Sequence, residues 1–160
     1  MNDEGRLTVE VESFGVAVGE LMADRAITIL PSNTKEAASE YMYSSTSMSF
    51  QKYARKHLAL DYLTKPERLY TQKSVDVFLP AILFGLGQVI ENPDLVKLLL
   101  EVTFNYVKET FVGDKAPTVK ATFVSKETEK EKYLSVTYEG PLEGLKNIAP
   151  AFFKAIKHED

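Results

Sequence analysis

The sequence predicts an α+β fold in which a small antiparallel sheet packs against a layer of several helices. The strand patterns lie at the two ends of the chain: an N-terminal strand over residues 6–12, and a C-terminal hairpin of residues 118–124 and 133–138. Residues 34–112 hold the longest apolar segments and suit helices. We therefore expect the N-terminal strand to pair with the hairpin, and these helices and a final one to cover one face of the sheet.

Length and composition indicate one soluble globular domain spanning residues 1–160, with 44% hydrophobic and 26% charged residues. The sequence contains no cysteine, which excludes disulfides, zinc thiolate sites and cysteine nucleophiles. A net charge of −4 argues against nucleic-acid binding, which needs clustered Lys and Arg. Residues 1–6 show no signal-peptide pattern, so we expect a cytoplasmic protein.

The N-terminal strand has one apolar and one polar face. Its alternating positions are apolar at Leu7, Val9 and Val11 and polar at Thr8, Glu10 and Glu12. This period of two predicts a half-buried strand with one side in water.

The following segment is less regular. Residues 14–30 fit either a strand or a helix, and the pattern leaves both open. Asn33 and Glu36 resemble a capping box, which predicts that a helix begins at residue 33. The hydroxyl-rich residues 44–47 interrupt this helix, because their side chains compete for backbone hydrogen bonds, so we expect a break or kink there.

The longest apolar run, Val77 to Ile90, predicts a buried core helix that begins near Pro80. It is shorter than the roughly 20 residues that a membrane-spanning helix needs, so no stable membrane insertion is expected. Gly85 and Gly87 would lower the stability of this helix, but they would let its backbone lie close to a neighbouring element.

A second helix is predicted over residues 94–112, with Asn92 as its N-cap and Pro93 at its first position. Its polar residues form a single narrow stripe: Lys97, Glu101, Asn105 and Lys108. A helix with so narrow a polar face must be covered on several sides, either by its own domain or by a second subunit.

The chain ends in an amphipathic helix that Pro150 should kink or divide. Its apolar stripe consists of Leu142, Leu145, Ile148, Phe152 and Ile156.

No catalytic, cofactor-binding or metal-binding residue is predicted, because each candidate has a better structural explanation. The candidates are His57, His158, the serines at 44, 45, 47 and 49, the Gly85–Gly87 pair and the carboxylates Glu10, Glu12 and Glu20. The serines lack a nucleophile-elbow motif, the glycines lack a complete dinucleotide fingerprint, and the carboxylates suit a solvated surface.

A partner surface is the one site that the sequence suggests. Its residues are Tyr41, Met42, Tyr43, Met48, Phe50 and Tyr53. Tyrosine and methionine are typical of interfaces, although a core helix that touches two neighbours would have the same composition.

These patterns favour a non-enzymatic protein-interaction module of the adaptor, immunity or regulatory type, which self-associates as a homodimer. Two alternatives remain open: a small-molecule sensor with an apolar pocket, and an enzyme that uses carboxylates alone.

Overall fold

The computed structural model describes residues 5–12, 26–31, 42–64, 68–70, 77–85, 87–110, 118–126 and 133–158. The strands are β1 (Arg6–Glu12), β2 (Ile27–Ile29), β3 (Met42–Ser44), β4 (Asp61–Tyr62), β5 (Arg68–Tyr70), β6 (Val77–Phe78), β7 (Ile82–Phe84), β8 (Thr118–Lys126) and β9 (Tyr133–Pro141). The helices are α1 (Ser45–Ala54), α2 (Gln88–Glu91), α3 (Pro93–Thr110), a 3₁₀-helix (Leu142–Asn147) and α4 (Ile148–His158).

The main sheet has seven strands and is mixed, so the predicted small antiparallel sheet is wrong, although the protein is α+β overall. Six strands follow the order β1-β9-β8-β7-β2-β4, and β6 also pairs with β8. The expected antiparallel pairing of β1 with the β8–β9 hairpin is present. However, β7 and β6 join β8 in parallel and extend the sheet beyond the hairpin. Strands β3 and β5 form a separate parallel pair.

The apolar run from Val77 forms strands β6 and β7, and not the predicted core helix. Ile82 and Phe84 belong to the main core on one face of the sheet, whereas Leu83 belongs to a smaller apolar cluster on the other face. A central strand that is buried on both faces is apolar at every position, so its period of two disappears from the sequence. Such a run cannot be distinguished from a buried helix by its pattern.

The glycines of this run lie in the turn that leaves β7. Gly87 has a φ of 79°, a left-handed conformation that favours glycine, and it directly precedes the short helix α2. The N–H of Gly85 donates to the carbonyl of Ala26 at 2.9 Å. Gly87 therefore forms a turn and Gly85 bonds to the segment before β2, and neither lies inside a helix.

The serine run begins helix α1, where a break within a longer helix was expected. Ser44 is the N-cap, and its Oγ accepts a hydrogen bond from the backbone N–H of Ser47 at 3.2 Å. The two hydroxyl groups are also 3.0 Å apart. A side-chain oxygen that disturbs backbone hydrogen bonds inside a helix stabilises the first turn, because the N–H groups there have no carbonyl partner within the helix. The helix start predicted at Asn33 lies outside the described residues, and of residues 14–30 only 27–29 are assigned, as a strand.

Helix α3 is close to the predicted 94–112 and begins at Pro93 as expected. The four residues of the predicted polar stripe are all exposed. Its buried residues pack into the core of its own chain: Val96, Leu99, Leu100, Val102, Thr103, Tyr106 and Val107. The helix is therefore covered largely within one chain. None of the described helices combines the length and apolar character that crossing a membrane requires.

The C-terminal segment divides between Asn147 and Ile148, where the 3₁₀-helix passes into α4. All five residues of the predicted apolar stripe are buried. Pro150 is the third residue of α4, where its missing N–H would have no helical partner in any case. Phe152 meets Phe84 of β7 in an edge-to-face contact with ring centroids 5.8 Å apart, which fixes α4 on the sheet.

Candidate functional site

Strand β1 is one edge of the main sheet. Among the described strands its only neighbour is β9, with which it pairs over seven consecutive positions from Arg6 to Glu12. On the other side of β1, alternate backbone N–H and C=O groups point away from the sheet. Such an edge is a template for pairing with another strand.

The face of β1 that continues the protein core is exposed. The register aligns three residues of β1 with core residues of β9: Leu7 with Tyr138, Val9 with Val136, and Val11 with Leu134. Directly opposite residues in a sheet share a face. The β9 residues are 0–2% exposed, whereas Leu7, Val9 and Val11 are 38%, 48% and 57% exposed. We call these three β1 residues the apolar stripe.

One row of aligned residues shows at which strand the core face of the sheet stops being buried. It runs from Val9 through Val136, Phe123 and Ile82 to Ile29, across five strands. The last four residues are 0–1% exposed, so the change to 48% at Val9 occurs within one strand spacing. The described helices therefore cover the sheet as far as β9 and leave β1 open. The strand prediction for residues 6–12 is confirmed, but the expected burial of its apolar face is not observed.

The opposite face of β1 is polar, as predicted. Arg6 aligns with Glu139, and Glu139 with Lys120, so charges of alternating sign stand side by side on three strands. In the next row the hydroxyls of Thr122 and Thr137 are 3.0 Å apart. Cross-strand pairs of this kind stabilise a solvated sheet face.

The residues predicted as a partner surface do not form a single surface. Tyr43 and Phe50 are buried in the core, Met48 is 44% exposed, and Met42 and Tyr53 are partly buried. Tyr41 lies outside the described residues. The hydroxyl of Tyr43 accepts the backbone N–H of Thr64 at 3.0 Å, which fixes its ring inside the protein. Met48 is therefore the most accessible described residue of the set.

The aromatic residues of this segment join α1 to α3. Tyr106 meets Phe50 and Tyr53 in edge-to-face contacts, with centroid distances of 5.3 Å and 5.5 Å. The Tyr106 hydroxyl donates to Ser49 Oγ at 2.8 Å, and burial raises the pKa of Tyr106 despite that bond. Tyr53 donates to Glu109, and this hydrogen bond raises the pKa of Tyr53.

Catalysis by Ser49 or His57 is not supported by these contacts. A serine nucleophile needs a base that removes its proton, whereas Ser49 Oγ accepts a hydrogen bond from the hydroxyl of Tyr106, a phenol whose pKa is raised. His57 is exposed, with its ring 5.6 Å from that of Tyr53, a contact between neighbouring turns of the α1 region. Both residues therefore act in packing between α1 and α3 or at the protein surface.

Metal-binding groups are equally unsupported in the described part of the chain. No three His, Asp or Glu side chains within the described ranges lie close enough together to hold a metal ion. Of the carboxylate candidates, Glu10 is exposed on β1, and Glu20 lies outside the described residues.

Comparison with protein-family models, with curated proteins and with solved structures finds no match to this chain. A functional proposal must therefore come from the geometry of the described residues. The described feature that departs most from an ordinary protein surface is the apolar stripe on β1, a strand whose outer edge has no partner strand among the described residues. Its alternation is visible in the sequence, but its exposure depends on which strand ends the sheet, and sequence reasoning missed that.

Proposed function

We propose that this protein is a non-enzymatic interaction module that self-associates through the β1 edge of its main sheet. The observation that carries the proposal is the exposure of the apolar stripe, on the same face as the fully buried Val136 of β9. An edge strand that offers both unpaired backbone groups and apolar side chains can gain hydrogen bonds and hydrophobic burial from one partner.

The β1 edge is a better candidate than helix α3, from which the sequence first suggested a homodimer. That suggestion required an apolar helix that its own chain could not cover. In the structure α3 is buried along its apolar side, and Leu98, at 38% exposure, is its most exposed large apolar residue. A single exposed apolar residue on a helix is normal, whereas three at alternate positions of one strand form a continuous stripe.

Sedimentation velocity across a range of protein concentrations tests the proposal. The wild-type protein should shift from a mass near 18.0 kDa towards twice that value as concentration rises. Val9→Lys should remain monomeric, because a charged side chain replaces the central residue of the apolar stripe. Leu98→Lys is the matched control, since it places the same charge on a similarly exposed apolar residue of α3.

The outcomes separate the two surfaces. Dimerisation that survives Leu98→Lys and fails in Val9→Lys supports the β1 edge. The reverse result would assign self-association to α3, and a wild-type mass that stays at one chain would overturn the proposed function.

A further inference from the structure

We infer that the partner of β1 is the β1 strand of a second copy, paired antiparallel with Val9 opposite the partner's Val9. This inference rests on the proposed function and specifies its geometry. The two seven-stranded sheets would then form one continuous sheet, with both apolar stripes adjacent on the same face.

The strand direction follows from a two-fold axis perpendicular to the sheet, the orientation that brings the two apolar stripes together on one face. Two copies most often associate around a two-fold axis. When the axis is perpendicular to the sheet, two identical edges meet antiparallel and keep equivalent faces on the same side. The stripe of one copy then continues into the stripe of the other, and the polar faces meet in the same way.

The number of paired positions, side-chain size and charge together select the register among the symmetric possibilities. Centring on Val9 pairs all seven strand positions, with Leu7 opposite the partner's Val11 and the arginine at position 6 opposite the glutamate at position 12. Centring on Thr8 would also pair opposite charges, Arg6 with the partner's Glu10, but it would place Val11 opposite the partner's Gly5 and extend past the seven residues of the strand. Centring on Glu10 would place two glutamates directly opposite, which is destabilising.

β1 lacks several of the features that commonly prevent edge pairing. Natural edge strands are commonly protected by charged side chains, above all lysine, by proline, by a β-bulge, by a charge on the inward face or by a covering helix or loop. The charged positions of β1 are 6, 10 and 12, which alternate with the apolar stripe. The segment Arg6–Glu12 contains no lysine and no proline, and its register with β9 is unbroken over all seven positions. Its inward face carries only Leu7, Val9 and Val11.

Single-cysteine variants test the register directly, because the natural sequence contains no cysteine. Opposite residues in an antiparallel pair have Cα atoms about 4.5–5.5 Å apart, which a disulfide can bridge. Val9→Cys should therefore form a disulfide-linked dimer on mild oxidation. Leu7→Cys alone should not form this dimer. In this register the two residues at position 7 would be four positions apart, about 13 Å along the strands. An equal mixture of Leu7→Cys and Val11→Cys should form the mixed dimer.

A charge-exchange series provides a second, non-covalent readout. Arg6→Glu and Glu12→Arg should each raise the dimer dissociation constant about tenfold, because two like-charged pairs replace two opposite ones in the symmetric dimer. The double variant should return the dissociation constant close to that of the wild type.

Failure of the register and failure of the proposed function give different results. A wild-type dimer in which Thr8→Cys crosslinks and Val9→Cys does not would overturn this register while self-association stands. A dimer that crosslinks at none of these positions would overturn β1 pairing itself. A wild-type protein that stays monomeric at every concentration would remove both proposals.

Discussion

Val9 lies directly opposite Val136 in the β1–β9 register, yet Val9 is 48% exposed and Val136 is fully buried. Both side chains are on the core face of the sheet, so the difference comes from the layer above them. Helix α4 packs over β9, whereas Leu7, Val9 and Val11 of β1 stay largely exposed on the same face. The core of this protein therefore ends one strand before its sheet does.

Helix α3 should be a centre of stability. Leu99 is fully buried, so Leu99→Ala should lower the free energy of unfolding by about 2–5 kcal/mol. Lys97→Ala, on the exposed side of the same helix, should change it by less than about 0.5 kcal/mol. Chemical denaturation measures both values, and equal effects would contradict the assignment of the two helix faces.

The close approach of Gly144 to Tyr138 should make Gly144→Ala destabilising. A Cβ at position 144 would overlap the phenol group of Tyr138, whose hydroxyl donates to the carbonyl of Pro141. Overpacking of this kind costs about 1–3 kcal/mol. Thermal and chemical denaturation should show this loss. The exposed Lys146→Ala on the same 3₁₀-helix serves as the control, and an equally small effect for both would show that this contact can relax freely.

The Ser44 cap should contribute to the stability of α1. Ser44→Ala removes the acceptor for the N–H of Ser47, and loss of such a cap costs about 1 kcal/mol. Lys52→Ala, exposed on the same helix, should have almost no effect. If Ser44→Ala unfolds at the same denaturant concentration as the wild type, the hydroxyl has no capping role.

Alkaline pH should destabilise the protein, and Tyr106 should account for part of the effect. Burial raises the pKa of Tyr106 above its ordinary value of about 10, so the folded state keeps a proton that the unfolded state loses first. This contribution to stability is complete below about pH 10 and is lost as pH rises through the folded-state pKa. The free energy of unfolding, measured by denaturation between neutral and alkaline pH, should fall less steeply with pH for Tyr106→Phe than for the wild type. Identical slopes would show that Tyr106 ionises freely in the folded protein.

The elements with a polar side could be predicted from the sequence. α3 carries a polar stripe and the first half of β8 alternates in polarity, because each has one face in water. β1 alternates as well, although both of its faces are exposed. β7 has no polar side, and its partner strands are distant in sequence, so its apolar run alone predicts a buried helix. β2 and β4 are three and two residues long, too short to show a pattern in the sequence. They are strands because they pair with neighbouring strands of the sheet.

The candidate site was only partly predictable for a related reason. The apolar character of Val9 is plain in the sequence, but its exposure follows from the position of β1 at the edge of the sheet. Conversely, Tyr43 and Phe50 are residue types that are common at interfaces, yet the fold buries them in the core. Composition indicates which residues can make contacts, and topology decides whether those contacts lie within the chain or outside it.

Hydrogen exchange of the β1 amides, measured as a function of protein concentration, tests the central claim most directly. Amides on the outer edge of β1 have no partner strand among the described residues, and pairing with a second copy would protect them. We predict that exchange in Arg6–Glu12 slows as the protein dimerises, while exchange in the already paired β9 changes little. Exchange in β1 that stays equally fast in the monomer and in the dimer would contradict the claim that this edge is the interaction surface.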